Sequence, residues 1–171
     1  VKFTSDGRFD LSWGTGGPGP AAGELSDAHA IAMDSQGRIF VGDRRNIRIQ
    51  IFDRDGNFLE QWSHFGPPSN IYIDANDVMY VTDTQTGALP GWYAERRGEG
   101  WVRGIRVGDA RTGLVTDFIP SDAEFAAADR AGNVYFTNVP MERILKWSPR
   151  DKKLSVFREN SNLANGLLFD A

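Results

Sequence analysis

The chain of 171 residues has no cysteine, which excludes disulfides and thiolate metal sites and leaves the redox compartment unmarked. Histidine is nearly absent, with His29 and His64 the only two, so any imidazole chemistry runs through one of them. No apolar run is long enough to span a bilayer or to form a signal-peptide core. The sequence opens on Val1, which leaves room for a removed targeting segment. A net charge of −4 gives a nucleic-acid role no support from bulk charge. What is present suits β structure. The chain is 40% hydrophobic and 12% aromatic with 19 glycines, and rings cover pleated faces while glycines fit tight turns.

Laid on itself, the sequence repeats. "HAIAMDSQGRIFVGD" (29–43) aligns with "SNIYIDANDVMYVTD" (69–83) and "EFAAADRAGNVYFTN" (124–138), and "NGLLFDA" (165–171) begins a fourth copy. Asp34, Asp74, Asp129 and Asp170 close the first strand of each copy, and Asp43, Asp83 and Asn138 stand nine residues further on in the first three. Within the first copy, period-two alternation predicts strands at 30–33, 38–42, 48–52 and 57–62. "DSQG", "DRAG" and "DRDG" place Asp first and Gly fourth, the preference of a type I turn, so the aspartates read as turn residues.

Four short antiparallel strands recurring about every 40 residues predict an all-β propeller of four-stranded blades. The expected division is the end of a preceding blade at 1–14, blades at 29–62, 69–119 and 124–157, and the start of another at 165–171. A closed six-bladed ring at ~42 residues per blade would need ~250 residues, so the expectation is a fragment that self-associates or belongs to a longer chain. Trp13, Trp62, Phe118 and Phe157 recur near the end of the fourth strand, where rings are expected to pack between neighbouring blades.

The carriers of a family resemblance are the WG…G…G-E-L lead-in, "HAIAMD" and the D-R-x-N-x-R-I-Q-x-F run. Through them the first part resembles NHL-repeat propellers. "GWVRGIRVGDARTGLVTDFIP" (100–120) is similar to a bacterial NHL subgroup related to peptidyl-hydroxyglycine amidating lyases. From Ala123 onward the chain resembles the start of a gluconolactonase/regucalcin (senescence marker protein) propeller. Both families imply six blades, and the resemblance leans to a bacterial periplasmic or secreted setting.

In a propeller the innermost strands line the axis, so the residue just ahead of each stands at the mouth of the channel. Five residues before each strand-closing aspartate come His29, Ser69, Glu124 and Asn165. His29, Glu124 and Asn165 carry donors suited to a divalent metal, Zn²⁺ for imidazole and carboxylate or Ca²⁺ for carboxylate and amide oxygens. The alternative is that these side chains simply sit in water or in turns. The amidating-lyase resemblance implies zinc histidines at this address; His29 fits, and Glu124 and Asn165 stand where two others would be. The gluconolactonase resemblance implies a metal-binding glutamate, which Glu124 matches, although Phe125-Ala126 replaces the usual Gly-Pro.

Asp43 and Asp83, with Asn138 at the same address, are candidate general bases or, equally, caps of the following turn. An insertion at 84–104 carries Trp92, Tyr93, Arg96, Arg97, Trp101 and Arg103. Such a set can clamp an anionic or sugar-like substrate by stacking and bidentate hydrogen bonds, or the loop can fold on its own rings. Arg44, Arg45 and Arg48 add positive charge nearby. His64 fits no repeat address. The expected function is a divalent-metal-dependent hydrolase of lactones or esters acting on a small-molecule substrate. The alternatives are a non-catalytic scaffold for a protein partner and an amidating-lyase-like enzyme.

Overall fold

The structure is a computed structural model that describes residues 1–14, 18–86, 101–120, 126–164 and 167. Its recurring element is a turn built by aspartate. The Asp34 carboxylate accepts from the backbone N–H of Gln36 and Arg38 at 3.1 and 2.8 Å, while Gly37 N–H donates to the Asp34 carbonyl at 3.0 Å. Asp74 does the same for Asn76 and Val78, and Asp129 for Ala131 and Asn133. Asp53 holds the next hairpin through Asp55 and Asn57. A short acceptor at the first turn position satisfies donors that the bend takes out of the ladder. The turn role expected of Asp34, Asp74 and Asp129 is therefore the observed one; Asp170 lies outside the described residues.

These turns join antiparallel strands. β1 (Lys2–Phe3) and β2 (Phe9–Leu11) form a two-stranded hairpin. The first four-stranded sheet runs β3 (Ala28–Met33), β4 (Ile39–Asp43), β5 (Arg48–Phe52) and β6 (Phe58–Trp62). The second runs β7 (Asn70–Ile73), β8 (Val78–Asp83), β9 (Gly104–Asp109) and β10 (Val115–Ile119). The third runs β11 (Ala126–Ala128), β12 (Val134–Asn138), β13 (Arg143–Ser148) and β14 (Lys153–Arg158). The leading strands β3, β7 and β11 are neighbours in space, so the sheets radiate from a shared inner edge as propeller blades do. The 84–104 insertion separates β8 from β9, while short 3₁₀ turns, Arg44–Asn46 and Val139–Met141, occupy the same place in the other blades. None of the helices among the described residues is long and apolar enough to cross a membrane.

Alternation along the strands explains why the blades stack. β8 turns Met79 and Val81 toward the first blade, where they meet Phe40, Ile49, Ile51 and Trp62. The same strand turns Tyr80 toward the third blade, against Phe136, Leu145 and Trp147. Full burial of an aliphatic or aromatic side chain contributes ~1.5–3 kcal/mol, so these two inter-blade cores dominate the stability.

The expected inter-blade role of the fourth-strand rings holds for two of them. Trp13 lies on Gly56 and Trp62 on Gly113, so close that a Cβ on either glycine would come within 2.6 or 2.8 Å of the ring-bearing side chain. Both glycines have positive φ, and each sits in the third hairpin turn of the blade that receives the ring. Phe118 and Phe157 depart from the expectation. Phe118 packs over Gly104 and Arg106 of its own blade. The turn that would receive it carries Lys152 instead of glycine, and Lys152 forms an ion pair with Asp117 at 2.9 Å. Phe157 is exposed and stands edge-on to Tyr135, 4.9 Å between centroids.

Gly132 also has positive φ, but open space surrounds its missing Cβ. Gly132→Ala should therefore lose only the conformational cost, about 1–2 kcal/mol. Gly113→Ala should lose that and a further ~1–3 kcal/mol for displacing Trp62. Urea unfolding of the two variants measures the difference, and equal losses would contradict the ring-on-glycine seat.

Candidate functional site

His29 lies within β3, which begins two residues earlier than the alternation predicts. The ladder explains why: Ala28 pairs with Asp43 and Ala30 with Gly42, leaving His29 as an extra residue in a β-bulge. A bulge re-aims the side chain it carries. Here the exposed imidazole reaches the next blade, with Nδ1 2.6 Å from the Ser69 carbonyl oxygen. A carbonyl oxygen only accepts, so Nδ1 bears the proton and the Nε2 lone pair is left for another partner. Ser69 occupies the equivalent repeat address, and its own hydroxyl is engaged with Thr84 at 2.7 Å. The two addresses thus support each other across the blade boundary. A cleft of about 250 Å³ opens beside His29, walled by Trp13, Leu25 and Ile31.

The carboxylates expected as general bases are bound into the framework. Asp43 is 0% exposed. It accepts from Ser26 N–H (2.7 Å), Asn46 Nδ2 (2.8 Å), Arg48 Nε (2.7 Å) and Gln50 Nε2 (3.0 Å). Arg48 in turn uses all five of its N–H donors: besides Asp43 it bonds the carbonyls of Pro20, Ala21 and Glu24 and the side chain of Gln61. Arg48 therefore offers no charge to a ligand. It ties the lead-in segment to the blade, and Arg44 is likewise paired, with Asp27 at 2.9 Å.

Asp83 repeats the plan. It is buried and accepts from the backbone of Gln85 and Thr86 and from the Thr86 hydroxyl, with Arg106 3.5 Å away. Burial pushes the Arg106 guanidinium below its ordinary pKa, with Asp83 opposing the fall. Asn138 caps its 3₁₀ turn by accepting from Met141 N–H. Asp83 matches the turn cap, whereas the Asp43 carboxylate makes no bond to the backbone of the 3₁₀ turn that follows it and is held by Ser26, Asn46, Arg48 and Gln50 instead.

Of the insertion, Trp92, Tyr93, Arg96 and Arg97 lie outside the described residues. The Trp101 ring stacks on Arg106, 4.8 Å from its guanidinium carbon, and Arg103 Nε donates to the Thr86 carbonyl at 3.3 Å. These two are folded onto their own blade. Glu124 and Asn165 also lie outside the described residues. Among the described residues no three His, Asp or Glu side chains converge to hold a metal ion. His64 Nε2 lies 2.7 Å from the Gly113 carbonyl, with its ring against Phe65. The Arg48 hub escaped the sequence reading, although a signal existed: Arg48 and Gln50 interleave with Ile49 and Ile51 on a strand whose every residue is buried.

Comparison with known proteins bears on the same segment. Residues 25–52 match the NHL repeat. Over 169 residues the chain is 39% identical to NHL repeat-containing protein 3 of Mus musculus, spanning 92% of this chain and 45% of that protein. It is 29% identical over 167 residues to peptidyl-glycine alpha-amidating monooxygenase A of Xenopus laevis, spanning 87% of this chain and 16% of that protein. A streptogramin B lyase structure superposes with a TM-score of 0.59 at 13% identity, over 78% of this chain and 41% of that one, a likeness of fold alone. The chain spans less than half the length of these curated relatives.

The Asp43–Arg48 arrangement predicts that Asp43→Ala costs about 3–5 kcal/mol, because it strands a buried guanidinium. Chemical denaturation measures this directly. A variant that kept its stability would return Asp43 to the list of functional carboxylates.

Proposed function

We propose that this NHL-type propeller segment holds a divalent metal ion where the inner strands begin, and acts there on a lactone or ester carbonyl. The observation that carries the reading is the set of His29. Metal-binding histidines characteristically donate their second N–H to a carbonyl or carboxylate, which fixes the tautomer and orients the ring. His29 has that partner in Ser69, and its Nε2 is uncommitted. The residues that would complete the site are Glu124 and Asn165, at the same repeat address in other blades. Imidazole with carboxylate fits Zn²⁺; a site weighted toward carboxylate and amide oxygens fits Ca²⁺. When bound, such an ion polarises a carbonyl or lowers the pKa of a water. His29 supplies and orients a ligand nitrogen, and the insertion residues Trp92, Tyr93, Arg96 and Arg97 would meet the substrate. The gluconolactonase-like stretch from Ala123 adds support through Glu124 alone.

A second reading, a non-catalytic scaffold presenting protein contacts, is favoured by the full engagement of Asp43 and Asp83 in structural bonds. Amidating-lyase-like chemistry ranks third, since one histidine rather than several stands at the shared address.

Calorimetric titration with Zn²⁺ and Ca²⁺ separates these readings. The metal site predicts saturable binding that weakens at least about tenfold in His29→Ala, a loss of ~1.4 kcal/mol, and further in the His29→Ala, Glu124→Ala double variant. Unchanged affinity in the double variant, or no binding by the parent chain, would leave the scaffold reading.

A further inference from the structure

The two blade junctions are built from the same repeat addresses, so each serves as a control for the other. At the first junction a polar latch closes the end of the blades where the first turns lie. Ser35 donates to both oxygens of Asp77, from its backbone N–H at 2.8 Å and its hydroxyl at 2.6 Å. Ala110 N–H donates to the Asp77 carbonyl at 2.8 Å, and Arg38 reaches across to the Ala110 carbonyl at 2.7 Å. The Ser35 bonds hold the Asp77 carboxyl below its ordinary pKa.

At the second junction every member of that latch is replaced. Ala75 stands for Ser35, Val78 for Arg38 and Gly132 for Asp77, and Pro149, which has no N–H, stands for Ala110. Where the first junction is tied shut, the second opens into a cleft of about 730 Å³. That volume lies within the range of small-ligand sites.

We propose that this cleft binds a neutral, polyhydroxylated molecule of sugar-ring chemistry. Tyr80 lines the cleft from an otherwise buried position, with its hydroxyl open to the cleft rather than sealed in the core. A ligand hydroxyl there can take the place of the water that otherwise meets it. Around it stand Asp74, Asp117 and Asp151, with the Trp147 side chain and Val107 as the apolar wall. The acidic lining is nearly balanced: Arg150 and Lys152 border the same space, and Lys152 donates to both Asp117 oxygens at 2.9 Å. Near-balanced charge gives an ionic ligand little net attraction. Closely spaced acceptors and donors beside an apolar wall suit hydroxyls on one edge of a ring and C–H groups on its face. Asp74 follows the end of β7, whereas His29 lies near the start of β3, so the cleft is at the opposite end of the inner strands from the candidate metal site.

The test is NMR titration of the ¹⁵N-labelled chain with glucose, N-acetylglucosamine, maltose and cellobiose, and with arginine ethyl ester as the cationic probe. At least one sugar should shift the Trp147 indole and Gly132 amide signals in a saturable way. Tyr80→Phe, which removes only the hydroxyl, should weaken that binding about tenfold. The proposal is overturned if no sugar shifts these signals, if Tyr80→Phe binds as well as the parent, or if only arginine ethyl ester binds.

Discussion

The Arg48 guanidinium is the constraint on which the inner end of the first blade depends. A buried cation is tolerated only when its charge and every donor are matched. Arg48 achieves this by drawing in Asp43 from its own blade, Gln61 from β6 and three carbonyls from the segment that precedes β3. The lead-in chain is held against the blade as a consequence, and Ser26 N–H caps the other oxygen of Asp43. That closure sets where β3 begins opposite Asp43, and the bulge at His29 follows immediately. The presentation of the imidazole is thus downstream of the Arg48–Asp43 ion pair.

Repetition lets the chain vary one junction while conserving the plan. Both inter-blade cores use alternate faces of β8, and both rely on rings and aliphatic side chains from the facing blade. The differences lie at the edges. Trp62 lies on a glycine of the next blade; Phe118 lies on Gly104 of its own blade and stays there with Arg106 and Trp101. The first junction has a polar latch; the second has a cleft lined by Tyr80. A repeat fold separates what holds neighbours together from what is left free to change.

Much of this was legible in the sequence. The aspartate spacing and the Asp-x-x-Gly turns gave the blade plan, because side-chain period and turn chemistry are local properties. The third strand of the first blade appears with the predicted bounds, Arg48–Phe52. What escaped depended on partners distant in sequence. The bulge that extends β3 needs Asp43 opposite Ala28, and the Arg48 hub needs carbonyls from the lead-in segment. Asp43 and Asp83 illustrate the same point: their regular spacing is alike, yet Asp43 is held by Arg48 and the lead-in segment while Asp83 holds the start of the insertion. Trp101 suits a ligand clamp or a loop folded on itself equally by sequence, and its ring stacks on Arg106.

The central claim is that His29 is held as the Nδ1–H tautomer by Ser69, leaving Nε2 open at the inner edge of the propeller. Two-bond ¹H–¹⁵N correlation spectra of the imidazole, recorded at a pH where the ring is neutral, read this directly. The account predicts a protonated Nδ1, an unprotonated Nε2, and movement of the Nε2 signal alone as Zn²⁺ is added. A protonated Nε2 with a bare Nδ1, unaffected by the metal, would contradict it.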